Sequence, residues 1–176
     1  MKITFKPTAL LLLVLLYLMS ERALAQEYNR SAGVRLASET SAITYKKFVS
    51  EDQAVELLLS GRNQGLQLTV LTQKYIPMRV GTLDNFYFYA GMGGHGGYEK
   101  NDRIEKAVIS PTSTNYNYIE ENYFAIGVDG VVGIEYRILS VPLSINVDLK
   151  PYLSYIGFAK LEGDFWDGSI GIKYIF

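Results

Sequence analysis

Apolar and polar positions alternate every second residue through most of the chain after residue 26. The alternation is clearest over residues 142–154, where one face is largely aliphatic and the other carries Ser144, Asn146, Asp148 and Lys150. Successive side chains in a β-strand point to opposite sides, so this two-residue period predicts strands with one apolar and one polar face. No segment keeps a helical period over three turns, and the sequence therefore predicts an all-β fold.

Eight segments with this alternation are predicted as strands, and turn-forming residues such as 50–53 and 62–65 separate most of them. The predicted strands are about 30–38, 41–50, 54–62, 65–75, 84–94, 123–138, 142–154 and 166–176. The fifth carries aromatic residues on both faces, so its orientation stays open. One connection is long, from Gly94 to Glu121, and its Gly, Asn, Thr and charged residues predict a loop.

The first 25 residues are typical of a secretory signal peptide rather than of a folded domain. Lys2 and Lys6 precede an apolar run over residues 9–19, and Ala23-Leu24-Ala25 supplies a small-residue cleavage pattern. The run is shorter than the roughly twenty apolar residues that a membrane-spanning helix needs. We therefore predict a signal peptide at 1–25, export through the Sec pathway and a barrel domain at 26–176.

Charge and cysteine content exclude some classes of function. Without residues 1–25 the chain has 14 basic and 17 acidic residues, which argues against a nucleic-acid partner. It contains no Cys and one His, so neither a thiolate nucleophile nor a metal-ligand set is predicted. No cofactor is predicted either.

The predicted polar faces carry charges of both signs in the middle of strands, and this favours a transmembrane barrel. These residues are Arg35, Lys46, Glu56, Arg62, Asp129, Glu135, Arg137, Asp148, Lys150 and Lys173. Inside a barrel of eight strands such charges can pair, and segments of nine or more residues suit a tilted crossing of a bilayer. We expect Asp129, Glu135, Arg137, Asp148 and Lys150 to point inward and to pair. Because alternation alone does not say which face is inside, a soluble exported barrel or sandwich is the alternative.

The last predicted strand, 166–176, has Ile170, Ile172, Tyr174 and Phe176 at two-residue spacing and finishes on an aromatic residue. It resembles the closing strand of Gram-negative outer-membrane barrels, and length and strand count resemble the OmpA-transmembrane-domain and OmpX type. The resemblance implies an eight-stranded antiparallel up-and-down barrel in the outer membrane of a Gram-negative bacterium. It also implies contact with outer-membrane lipids and lipopolysaccharide, and recognition of the strand ending in Phe176 by the barrel-assembly machinery. We expect a monomer.

A structural or surface-binding role follows, with the segment 94–121 presented outside the cell, and no enzymatic activity is expected. The alternative is an outer-membrane lipid-modifying enzyme, a lipid A deacylase or acyltransferase that uses His95. His95 is predicted to start the loop within the glycine-rich run 91–97. Ser110, Ser113, Glu99 and Glu105 are near it in sequence, but no motif fixes any of them as its partner, so no catalytic residue is assigned.

Overall fold

A computed structural model of the chain describes residues 29–38, 41–62, 65–81, 83–110, 113–138, 140–157 and 160–176. The predicted signal peptide lies outside these residues. The strands are β1 (Arg30–Ala37), β2 (Ala42–Phe48), β3 (Gln53–Arg62), β4 (Gly65–Val80), β5 (Leu83–Ser110), β6 (Ser113–Ile138), β7 (Leu143–Leu149), β8 (Tyr152–Ile156), β9 (Lys160–Asp164) and β10 (Gly168–Ile175). Among the described residues, no helix is long and apolar enough to cross a membrane.

The strands form a closed antiparallel barrel. Each strand from β1 to β5 pairs with the strand that follows it in the chain. In addition, β6 pairs with β7, and β7 pairs with β10. Pairing of β1 with β10, from Ser31↔Ile175 to Ala37↔Ser169, closes the ring. Both β7 and β8 pair with β6, so together they form one bent strand. In the same way β9 pairs with β8 and β10 pairs with β7, so β9 and β10 form a second bent strand. The ten segments therefore make eight strands. The prediction of eight antiparallel strands is confirmed.

Both bent strands break at the same level, at residues 150–151 between β7 and β8 and at residues 165–167 between β9 and β10. The first break interrupts the strand predicted over 142–154. The strand predicted over 166–176 corresponds to β10, whereas β9 was not predicted. Proline has no N–H to donate to the ladder, so Pro151 interrupts the pairing with the neighbouring strand. The local backbone groups find other partners: Gly130 N donates to Pro151 O at 2.8 Å, and Lys150 N donates to Asp167 O at 3.0 Å.

The prediction of a loop from Gly94 to Glu121 is wrong. The strands β5 and β6 stay paired from Phe86↔Tyr136 to Ser110↔Ser113, with one irregularity between Ile104 and Lys106. Residues 94–97 belong to the barrel wall, because β4 pairs with β5 as far as Leu66↔Tyr98. Beyond that level β5 and β6 pair only with each other, and we call residues 99–123 the projecting hairpin. Polar composition indicated a loop, but strands already aligned in the wall can extend their backbone ladder without apolar side chains.

The barrel therefore has two different ends. The end opposite the projecting hairpin, which we call the turn end, holds the connections at 49–52 and 140–142. The first and last described strands also meet there, because Phe176 N donates to Arg30 O at 2.9 Å and Ile175 N donates to Pro142 O at 2.8 Å.

Candidate functional site

The barrel has a polar interior and an apolar exterior. Inward-facing residues that are buried include Arg35, Lys46, Glu56, His95, Glu99, Asp129, Glu135, Asp148, Lys150, Asp167 and Lys173. Outward-facing apolar residues are exposed, as Ile43 (67 %), Met92 (73 %) and Phe124 (66 %) illustrate. The predicted inward direction of the mid-strand charges is thereby confirmed, except for Arg62, whose side chain lies outside the described part. The lumen is the candidate functional site.

Charges of alternating sign fill the lumen near the turn end. Lys46 Nζ lies 3.2 Å from Glu135 Oε2 and 3.5 Å from Glu56 Oε2. Lys173 Nζ lies 2.6 Å from the other oxygen of Glu56, and Arg137 Nε lies 3.0 Å from the other oxygen of Glu135. Each carboxylate therefore faces two cations, and the five side chains join β2, β3, β6 and β10 across the lumen.

Tyrosine rings cover the cations of this cluster. Tyr75 and Tyr89 stack with their centroids 5.1 Å apart, and Lys46 Nζ lies 5.0 Å from each centroid. The Tyr75 hydroxyl accepts a hydrogen bond from Lys46. Position 133 accommodates the Tyr89 ring only because it is glycine, since a Cβ there would stand 2.7 Å from ring atoms. Attraction between a cation and the face of an aromatic ring is strongest where both are desolvated, as they are here.

A second cluster lies at the level where the bent strands break. The Arg35 guanidinium contacts Asp148 Oδ1 at 3.0 Å and Asp167 Oδ2 at 3.2 Å. Asp148 also accepts hydrogen bonds from the Tyr89 hydroxyl at 2.9 Å and from the Ser169 hydroxyl at 2.7 Å. This cluster ties β1 to β7 and to the segment leading into β10.

A third cluster, on β5, β6 and β8, surrounds the single histidine. His95 Nδ1 lies 2.7 Å from Asp129 Oδ2, and His95 Nε2 lies 3.1 Å from Ser154 Oγ. Lys150 Nζ donates to Asp129 Oδ1 at 2.9 Å, and the edge of the His95 ring faces Tyr152 at a centroid distance of 6.2 Å. The prediction that His95 starts a loop is wrong, because it lies within β5 and points into the lumen.

The order Ser154–His95–Asp129 and its distances are those of a nucleophile, a base and an orienting carboxylate. A substrate, however, cannot reach these three side chains. The side chains of His95 and Asp129 are completely buried, and Ser154 has no exposed surface. Lys150 also occupies the second oxygen of Asp129. In this conformation a lipid headgroup has no access to Ser154 Oγ, so the chemistry open to the cluster is hydrogen bonding between strands.

The serines and acids near His95 in sequence are not its partners. Ser110 and Ser113 form the far end of the projecting hairpin, and Glu105 also belongs to it. Glu99 is buried four residues further along β5. Sequence reasoning missed Asp129 and Ser154 as partners because it read the region after Gly94 as a loop. Among the described residues, no group of three or more His, Asp or Glu side chains is placed to hold a metal ion.

No protein-family model matches the chain, and no curated protein is similar to it in sequence.

Glu135→Gln should lower the free energy of unfolding by about 3–5 kcal/mol, because it removes the carboxylate that lies between Lys46 and Arg137 in the lumen. Equilibrium unfolding in urea, with the protein folded in detergent or vesicles, measures the change. Asp84→Asn is the matched control: it removes an acid from the exposed Arg79–Asp84 pair, so it should change stability little. Equal losses in the two variants would show that the luminal network does not stabilise the barrel.

Proposed function

We propose that this chain is an integral outer-membrane protein of a Gram-negative bacterium, of the small OmpX or OmpA-transmembrane-domain type. The supporting observation is the inversion of the barrel, with buried charges inside and exposed aliphatic side chains outside. In water, each Å² of apolar surface exposed on the outer face would cost the folded barrel roughly 25 cal/mol of stabilisation. Hydrocarbon removes that penalty, whereas a soluble barrel would need the opposite arrangement.

Aromatic residues at the two ends of the wall support the same proposal. Outward-facing rings near the turn end are Tyr45, Phe86, Tyr136, Tyr174 and Phe176, and several touch, such as Phe86 and Tyr136 with centroids 4.7 Å apart. Exposed rings toward the projecting hairpin are Tyr98, Phe124, Tyr155, Phe165 and Trp166. Aliphatic side chains fill the outer face between the two sets. Aromatic belts at both interfaces around an apolar band are typical of outer-membrane barrels.

The backbone and outward hydroxyl groups are also suited to hydrocarbon. A closed barrel pairs the backbone groups of every strand, which removes the open edges that a bilayer does not tolerate. On the outer face, the exposed Thr72 hydroxyl donates to Met92 O at 3.2 Å, so it needs no water.

The role that we propose is structural or surface-binding. Paired charges and stacked rings fill the lumen, so passage of large solutes is not expected. The projecting hairpin is the part that we assign to the cell surface, where a rigid scaffold would hold it for recognition. We further propose that residues 1–25 direct export, that the assembly machinery reads the strand ending in Phe176, and that the barrel is a monomer surrounded by outer-membrane lipids and lipopolysaccharide.

An epitope inserted between Ser110 and Ser113 tests location and orientation together. We expect the tagged protein to fractionate with the outer membrane and to bind antibody on intact cells. Migration on a gel that changes after boiling would verify that the tagged barrel is folded. Detection only after the outer membrane is permeabilised would contradict the orientation, and recovery in the soluble fraction would contradict the proposed function.

The second candidate is a lipid-modifying enzyme, and the specific observation in its favour is the Ser154–His95–Asp129 arrangement. We favour a structural role because all three side chains are enclosed. Ser154→Ala removes the hydroxyl that lies 3.1 Å from His95 Nε2 and changes little volume. This substitution should leave the lipid A mass spectrum of the cells unchanged relative to the wild type. A difference that depends on Ser154, with equal amounts of both proteins in the membrane, would revive the enzyme.

A further inference from the structure

Two cations stand directly opposite each other on the outer face of the wall. Arg30 of β1 and Lys47 of β2 are cross-strand partners, and both side chains are exposed. Their direction is outward because their strand neighbours at two-residue spacing, Val34 and Ile43 among them, are exposed apolar residues. Like charges directly opposite in a sheet destabilise the pairing, so an anion bound between the two side chains would stabilise it.

The protein does not supply that anion from its described residues. Two other exposed cations have acids of their own: Arg79 Nε donates to Asp84 at 2.7 Å, and Lys74 Nζ lies 3.7 Å from Asp52. Neither Arg30 nor Lys47 forms an ion pair among the described side chains. Arg30 and Lys47 therefore differ from these two exposed cations, because no acidic side chain of the described residues pairs with them.

Neighbouring rings define the depth at which such a partner would lie. The row next to Arg30 and Lys47 on the same face holds Tyr45 and Tyr174, both paired with Ala32. Phe176 flanks Arg30, to whose carbonyl its backbone N–H donates, and its ring lies 6.4 Å from Tyr45. Tyrosine rings favour the boundary between hydrocarbon and headgroups. The two cations, one row closer to the turn end, are therefore at the level of the headgroup phosphates.

We propose that Arg30 and Lys47 bind the phosphate of one acidic phospholipid, of the phosphatidylglycerol class, in the leaflet at the turn end. This inference rests on the proposed membrane insertion. A guanidinium offers two parallel N–H donors to a phosphate, and the ammonium of Lys47 reaches the same group as a point charge. A choline or ethanolamine headgroup would bring a third positive charge to the site and is disfavoured. The acyl chains lie along the aliphatic wall next to these strands.

Native mass spectrometry of the full-length protein, released from vesicles of equal parts phosphatidylglycerol and phosphatidylcholine, tests the site. We expect the wild type to retain phosphatidylglycerol preferentially. Each cation near a membrane surface contributes about fivefold to such a preference, so Arg30→Ser with Lys47→Ser should reduce it about 25-fold. Arg79→Ser is the matched control, because Asp84 already neutralises that cation, and it should keep the preference.

A second variant guards against simple loss of folding. Lys47→Glu puts an acid opposite Arg30, so the barrel should remain stable in phosphatidylcholine alone while the preference for phosphatidylglycerol disappears. A wild type without preference, or a double variant that keeps it, would overturn the headgroup site and leave the membrane barrel standing. Failure of the wild type to insert into either vesicle would instead contradict the proposed function.

Discussion

An eight-stranded barrel encloses a space only wide enough for side chains, so charges that point inward must be neutralised inside it. The other features of this molecule depend on that constraint. Five acids along the lumen, Glu56, Glu135, Asp148, Asp167 and Asp129, each contact a buried or half-buried cation. Removing one member leaves an unpaired charge in a desolvated interior. Breaking a buried ion pair in this way lowers the free energy of unfolding by about 3–5 kcal/mol.

Confining the charges to the lumen also decides what the outer wall can be. In strands, side chains alternate between the two faces, so a polar interior forces the remaining residues outward. Those residues are aliphatic in the middle of the wall and aromatic toward its ends. The same alternation that allows Lys46 to meet Glu135 therefore puts Ile43 and Ile134 on the outside. Internal charge pairing and an apolar outer wall are therefore two consequences of one pattern.

The sequence predicts this fold well where both faces carry side chains that differ in polarity. Residues 143–149 alternate without exception, and both the strand and the face that its polar side chains occupy were predicted correctly. The prediction of where β5 ends fails around His95. Gly91, Gly93 and Gly97 share the inward face with His95, and because glycine has no side chain, the alternation of polar and apolar residues cannot be recognised there. The contact of His95 with Asp129 and Ser154 also depends on the register of three strands, which local pattern does not specify. The polar composition of the projecting hairpin likewise led to the prediction of a loop in place of two strands.

The central claim, that the outer wall faces hydrocarbon while the lumen does not, can be tested by fluorescence quenching in vesicles with brominated acyl chains. Trp166 is the single tryptophan, so Trp166→Phe gives a silent background. In that background Val147→Trp probes the outer wall, where Val147 is 57 % exposed, and Tyr89→Trp probes the lumen at the level of Asp148. The account predicts strong quenching for Val147→Trp by bromines near the bilayer centre and little for Tyr89→Trp. Equal quenching at both positions, or the reverse order, would contradict it.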